Sequence, residues 1–200
     1  MRSGSLTILA LSLGAVALHA QAPMQTPAQG GNPLIGEAKQ AYTSIKNNLT
    51  AMAAKMPPEN YDFKATPDVR TFGATIGHIA DTQMRTCAMI VGEQKTVDAA
   101  SKTAKNDLVA ALQASFDECD AAWNTINDST AQQLVGGGRM QRSKLGSMVA
   151  SVIVHDNEEY GYLSVYLRLK GVVPPSTENM GRGMGGGMGA PPAGRGPGGR

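Results

Sequence analysis

Strand-like alternation of apolar and polar residues is absent from this 200-residue chain, which argues against a sheet. There is no phosphate-cradling glycine loop, no nucleophile elbow and no internal repeat. The two cysteines, Cys87 and Cys119, do not form a C-x-x-C pair, and neither lies near the N-terminus as a lipid-bearing cysteine would. No basic patch marks a nucleic-acid partner. The formal charge of +2 misleads, because four of the eighteen basic residues, Arg2, Arg182, Arg195 and Arg200, lie at the two ends. What lies between is near neutral and slightly acidic. Beyond the first twenty residues nothing reads as a transmembrane span.

What is present divides the chain into four parts. Residues 1–20 read as a signal peptide: Arg2 gives a short positive start, Leu6 to Leu18 an apolar core, and Ala20 a small residue before cleavage. The alternative is an uncleaved anchor. The expected location is therefore outside the cytoplasm, periplasmic or extracellular. Residues 21–32 form a linker rich in Gln, Pro and Gly. Residues 33–177 hold enough sequence for one domain with a single core. Residues 178–200, rich in Gly, Met and Arg, are expected to be a disordered tail.

Four amphipathic helices account for nearly all periodic sequence between those ends. The first is expected over Leu34 to Met56, with apolar residues at three-four spacing from Ile35 to Met56, before Pro57-Pro58 stops it. The second is expected over Pro67 to Val91, started by Thr66-Pro67-Asp68, with Val69, Phe72, Ile76, Ile79, Ala80, Gln83, Cys87 and Ile90 on its apolar side. The third runs over Thr103 to Ile126 on the stripe Leu108, Leu112, Ser115, Cys119, Ala122, Ile126. A link with Gly136-Gly137-Gly138 leads to the fourth, Ser143 to Lys170. The fold class is all-α, a four-helix bundle. In an oxidising compartment Cys87 and Cys119 are candidates for a disulfide, the alternatives being two buried thiols or a redox pair.

The seam of the fourth helix reads Leu145, Met148, Val152, His155, Glu159, Tyr162, Tyr166, Leu169. His155 and Glu159 stand where apolar residues belong. An isolated carboxylate there must be neutralised, paired or bound to a cation. The two lie on one helix face, about 6 Å apart along the axis. His78, on the second helix, is the other histidine left once His19 departs with the signal peptide. His78, His155 and Glu159 together offer three inward ligands from two helices. Two imidazoles and a carboxylate suit zinc, iron, nickel or manganese, and three protein ligands leave positions open for water or substrate. Asp81 and Asp156 are candidates to orient the liganding imidazoles. The bland alternative turns the fourth helix by part of a turn, making 156–159 a polar surface patch.

The stretch His155-Asp156-Asn157-Glu158-Glu159-Tyr160-Gly161, with Tyr166 to Ser176 after it, resembles the last helix of DinB-like proteins. Phe72-Gly73 through Gly77-His78-Ile79-Ala80-Asp81 resembles their second helix. The resemblance covers most of residues 33–177. It implies a four-helix bundle whose divalent metal is held by three histidines, one on the second helix and two spaced by four on the last. His78 and His155 fall on two of those positions. Glu159 falls on the third, where relatives have histidine, and Tyr162 replaces a residue that is polar in many relatives. Characterised relatives are thiol-dependent isomerases and transferases in which the metal activates a small thiol.

Two classes of function follow. One is a metal-dependent enzyme acting on a small molecule, a hydrolase or a thiol-dependent transferase. The other is a non-catalytic binding or stress-related bundle with a degenerate site. A third, weaker reading is Cu(I) handling by Met180, Met184 and Met188 in the tail. A homodimer is compatible with a bundle of this size, although no exposed apolar stripe names its interface. Gly73, Gly77 and Gly161 are expected to permit close helix approach or to leave space near the metal.

Overall fold

The computed structural model describes residues 31–138 and 141–184. The expected signal peptide, most of the linker, the tail beyond residue 184 and its Met188 lie outside the described residues. Among the described residues, no helix is long and apolar enough to cross a membrane.

Helix α1 spans Pro33–Lys55. Asn32 caps it, its side chain accepting from the Leu34 N–H at 3.1 Å, and Pro33 takes the first position, where no N–H is needed. Tyr42, Ile45, Leu49, Met52 and Ala53 form its buried stripe, as the spacing predicts.

Helix α2 spans Phe72–Ile90 and so starts later than the Thr66-Pro67-Asp68 signal predicts. The reason is tertiary. Phe72 and Gly73 donate their free backbone N–H groups to the carbonyls of Phe63 and Tyr61, at 2.8 and 2.7 Å. Thr71 then caps the helix by accepting from the Ala74 N–H at 3.1 Å. Val69, expected on the apolar side, is instead 40% exposed.

Helix α3 spans Lys105–Trp123. The link that follows holds a short antiparallel ribbon, β1 (Leu134–Val135) paired with β2 (Arg142–Ser143), which the sequence reading did not expect. Gly136 and Gly138 take positive φ at 75° and 57°, where a side chain would be strained.

The fourth rod is not one uniform helix. It opens as α4 (Lys144–Met148), widens into a π-helical segment over Val149–Val154, and continues as α5 (His155–Leu169). A π segment inserts a residue and advances the inward seam by one position. Asp156, Tyr160, Leu163 and Leu167, each one after an expected position, are accordingly buried, beside Ser164 and the expected Glu159 and Tyr166. Tyr162 and Leu169, expected inside, are 56% and 58% exposed. His155 and Glu159 move to the edge of the seam.

Helix α6 (Pro175–Met184) runs past Thr177, into a stretch expected to be disordered. Its first turn packs back on the bundle: Tyr160 Oη donates to Ser176 Oγ at 2.9 Å, and Lys55 pairs with Glu178.

Contacts fix the helix directions. Tyr42 reaches Asp120 while Lys105 reaches the Ala54 and Met56 carbonyls, so α1 and α3 are antiparallel. Ser115 bonds Gln83 and Cys119 bonds Cys87, each across 32 residues, so α2 and α3 run parallel. Tyr166 Oη donates to the Arg70 carbonyl while His155 meets His78, so α5 is antiparallel to α2. The link from α2 to α3 must therefore return along the bundle. Its turn Ala99–Ser101 lies on α2 at Gly77, where a Cβ would stand 3.0 Å from the Ala99 carbonyl oxygen. Gly73 is likewise close-packed, but Gly161 faces open space. Cys87 and Cys119 are joined as a disulfide, with Cα atoms 4.8 Å apart and both residues fully buried.

Candidate metal centre

The antiparallel pairing of α2 and α5 sets His78 opposite His155 and Glu159. His155 Nε2 lies 3.1 Å from His78 Nε2. Glu159 Oε1 lies 3.6 Å from His78 Nε2 and 3.8 Å from His155 Nε2. Three ligand atoms each about 2.1 Å from a tetrahedral metal stand about 3.4 Å apart. The observed triangle is close to that size, so the donor set fits a divalent ion. The three side chains are graded in exposure: 32% for His78, 20% for His155 and 9% for Glu159.

Electrostatics separates the two imidazoles. Burial, then the Arg70 guanidinium and His155, hold His78 below the usual histidine value. The Asp156 carboxylate on Nδ1 lifts His155 above it, against burial. Burial lifts Glu159 above the usual carboxylate range, while His155 and Arg70 oppose that rise. Arg70 Nη1 stands 3.9 Å from Glu159 Oε1.

Of the two aspartates expected to orient imidazoles, only Asp156 reaches one. It is fully buried, with Oδ1 3.4 Å from His155 Nδ1, and Oδ2 accepts from Gln83 Nε2 at 2.5 Å. Ser115 Oγ in turn donates to Gln83 Oε1 at 2.6 Å. Burial pushes the Asp156 carboxyl up, against the hydrogen bonds from His155 and Gln83. Asp81 is a correction. Its two carboxylate oxygens accept from the Ala99 and Ala100 backbone N–H groups at 2.8 and 2.9 Å, so it ties the returning link to α2.

Two clefts open on the centre. One of about 560 Å³ beside His78 is lined by Tyr61, Arg70, Asp81, Arg85 and Lys102 among others. The other, about 510 Å³, is lined by Glu159, Val69, Thr75, Tyr162, Val165 and Tyr166, with Arg70 again at its edge. Tyr162 forms an outer wall, its hydroxyl donating to Glu158 at 3.1 Å. Arg70, Gln83 and Ser115 were not singled out from the sequence. Gln83 and Ser115 did carry a signal, as polar residues inside apolar stripes.

A sequence profile of the DinB superfamily matches residues 41–163. The chain belongs to the DinB superfamily. A crystal structure of a DinB-like protein from Bacillus cereus ATCC 10987 shares this protein's fold, with a TM-score of 0.60 at 18% identity. That match covers 70% of this chain and 95% of the other. At such low identity the likeness shows the fold alone. A comparison with curated proteins found no match. In this DinB superfamily protein the three residues singled out from the sequence form a cluster able to hold a metal, their ligand atoms all within 4.8 Å of one another.

Proposed function

We propose that this DinB superfamily protein binds one divalent metal on His78, His155 and Glu159 and acts on a small anionic molecule held beside it. The observation that carries the reading is the triangle of ligand atoms, with sides of 3.1, 3.6 and 3.8 Å at the mouth of two clefts. Two imidazole nitrogens and one carboxylate oxygen suit zinc, nickel, manganese or iron. A divalent metal held there supplies Lewis acidity, easing proton loss from water or from a thiol.

The chain's own residues define the ligand. Arg70, Arg85 and Lys102 line the cleft beside His78. Among the described residues, no ion pair engages Arg85 or Lys102, and the Asp81 carboxylate is already taken by two backbone N–H groups. The cleft therefore offers cations to a carboxylate or phosphate group. The second cleft, with Val69, Tyr162, Val165 and Tyr166, suits an apolar portion. The reaction class is hydrolysis or group transfer to a thiol. Export through the apolar core of residues 6–18 belongs to the same proposal, and the buried disulfide supports an oxidising compartment.

One observation favours a second reading. Arg70 and the two histidines already surround Glu159, so its charge can be compensated without a metal. A non-catalytic bundle with a degenerate site would look like this. Glu159→Ala and Glu159→His separate the readings. Loss of bound zinc in Glu159→Ala, with chelator-sensitive turnover of anionic esters or thiol-reactive electrophiles by the native protein, supports the enzyme. Tight zinc binding that appears only in Glu159→His refutes it.

A further inference from the structure

A line of buried polar side chains runs from His155 into the middle of an otherwise apolar core. Asp156, Gln83 and Ser115 are all fully buried and come from three different helices. Such groups are tolerated inside a core only when they satisfy one another. Here they do, through the Ser115-to-Gln83 and Gln83-to-Asp156 hydrogen bonds of 2.6 and 2.5 Å. The line ends at His155 Nδ1, the ring nitrogen that does not face His78.

The disulfide sits one helical turn away. Cys87 follows Gln83 by four residues on α2, and Cys119 follows Ser115 by four on α3, so each pair shares a helix face. The Ser115–Gln83 bond and the disulfide are thus neighbouring rungs between the same two faces, each spanning 32 residues of sequence. Cys119 Sγ packs 3.8 Å from the Gln83 carbonyl oxygen. Cys87 Sγ packs 4.0 Å from Met148 Sδ, at the root of the π segment that leads to His155. The disulfide therefore touches both elements that place the metal-binding imidazole.

We propose that the Cys87–Cys119 disulfide and the Gln83–Ser115 pair hold Asp156 as the acceptor for His155 Nδ1–H, so that metal affinity depends on the disulfide. The inference rests on the metal-centre reading and extends it. Gln83 and Ser115 are positioning residues. They keep the Nε2 lone pair of His155 turned toward His78 and Glu159. A chain folded without the disulfide would hold its metal more weakly than one matured where cysteines are oxidised.

The test uses Gln83→Leu, which leaves the disulfide in place, and the double variant Cys87→Ala/Cys119→Ala. The first readout is the histidine tautomer in metal-free protein by nitrogen-15 NMR, which needs no metal. Native protein is expected to carry the His155 proton on Nδ1, and each variant to show mixed tautomers. The second readout is zinc affinity by competition with a chelating dye. Each variant is expected to bind about 10-fold or more weakly, as when other outer partners of liganding histidines are lost. Combining the changes should weaken binding by less than the product of the separate losses, because both act through Asp156. A native tautomer and native zinc affinity in Gln83→Leu, or in the folded cysteine variant, would overturn the proposal. Independent, multiplicative losses would overturn it too. If native protein takes up no zinc, the metal reading fails, and the tautomer readout still decides whether the line of polar groups positions His155.

Discussion

Removing the disulfide has a stability consequence that can be worked from its place in the chain. Cys87 and Cys119 are 32 residues apart. Opening a loop of that size returns roughly 12 cal/mol/K of entropy to the unfolded chain, or about 3.7 kcal/mol at 25 °C. Both cysteines are fully buried, so Cys87→Ala/Cys119→Ala also loses sulfur packing, adding about 1–2 kcal/mol. The expected loss is then about 5 kcal/mol, a large share of the ~5–15 kcal/mol that holds a typical domain together. The single tryptophan, Trp123, is 3% exposed and gives a fluorescence signal for unfolding in urea. With a slope of about 2 kcal/mol/M the midpoint should fall by ~2–3 M, and the slope should rise as the unfolded chain expands. A loss below about 1 kcal/mol with an unchanged slope would refute the loop-entropy reasoning. It would mean that α2 and α3 remain paired in the unfolded chain.

Other outcomes follow from the same geometry. Zinc affinity should fall as pH drops, first through the raised value of His155 above 6.5 with one proton competing, and more steeply only below 6.5, where His78 titrates. A pH-independent dissociation constant between pH 8 and 6 would contradict the ligand assignment. In metal-free protein the buried Asp156 carboxyl has a raised pKa, so its stabilising contribution is present below 3.8 and is lost as pH rises through the folded-state value. The stability of Asp156→Asn relative to native protein should therefore improve with rising pH above 3.8, as urea titrations at several pH values would show. Gly161 faces open space on α5, so Gly161→Ala should stabilise by about 0.5–1 kcal/mol. Gly77→Ala gains the same helix propensity but sets a Cβ 3.0 Å from the Ala99 carbonyl oxygen. It should lose about 1–2 kcal/mol net, and a gain in melting temperature would show that the returning link yields freely.

The candidate cluster was legible because helix periodicity alone puts His155 and Glu159 on one face, and a buried carboxylate needs a reason. Its surroundings were less so. An unbroken helical period from Leu145 to Leu169 placed Tyr162 and Leu169 inside, whereas past the π segment Asp156, Tyr160, Leu163 and Leu167 are buried beside the expected Glu159 and Tyr166. That shift buried Asp156 and left Glu159 at the edge of the seam, where the second cleft reaches it. The start of α2 misled for a different reason. Thr66-Pro67-Asp68 is a good local helix start, but the Tyr61 and Phe63 carbonyls accept the first free N–H groups only from Phe72 onward. Arg70 was thereby freed from a helix to stand between the clefts. The β ribbon, two residues per strand, is too short for alternation to show.

The central claim is that His78, His155 and Glu159 hold a metal, and metal content tests it most directly. Elemental analysis of protein purified without chelator, beside His155→Ala of equal stability, should show about one divalent ion per native chain and almost none in the variant. No metal in the native protein, even after reconstitution with zinc, nickel, manganese and iron in turn, would contradict the account.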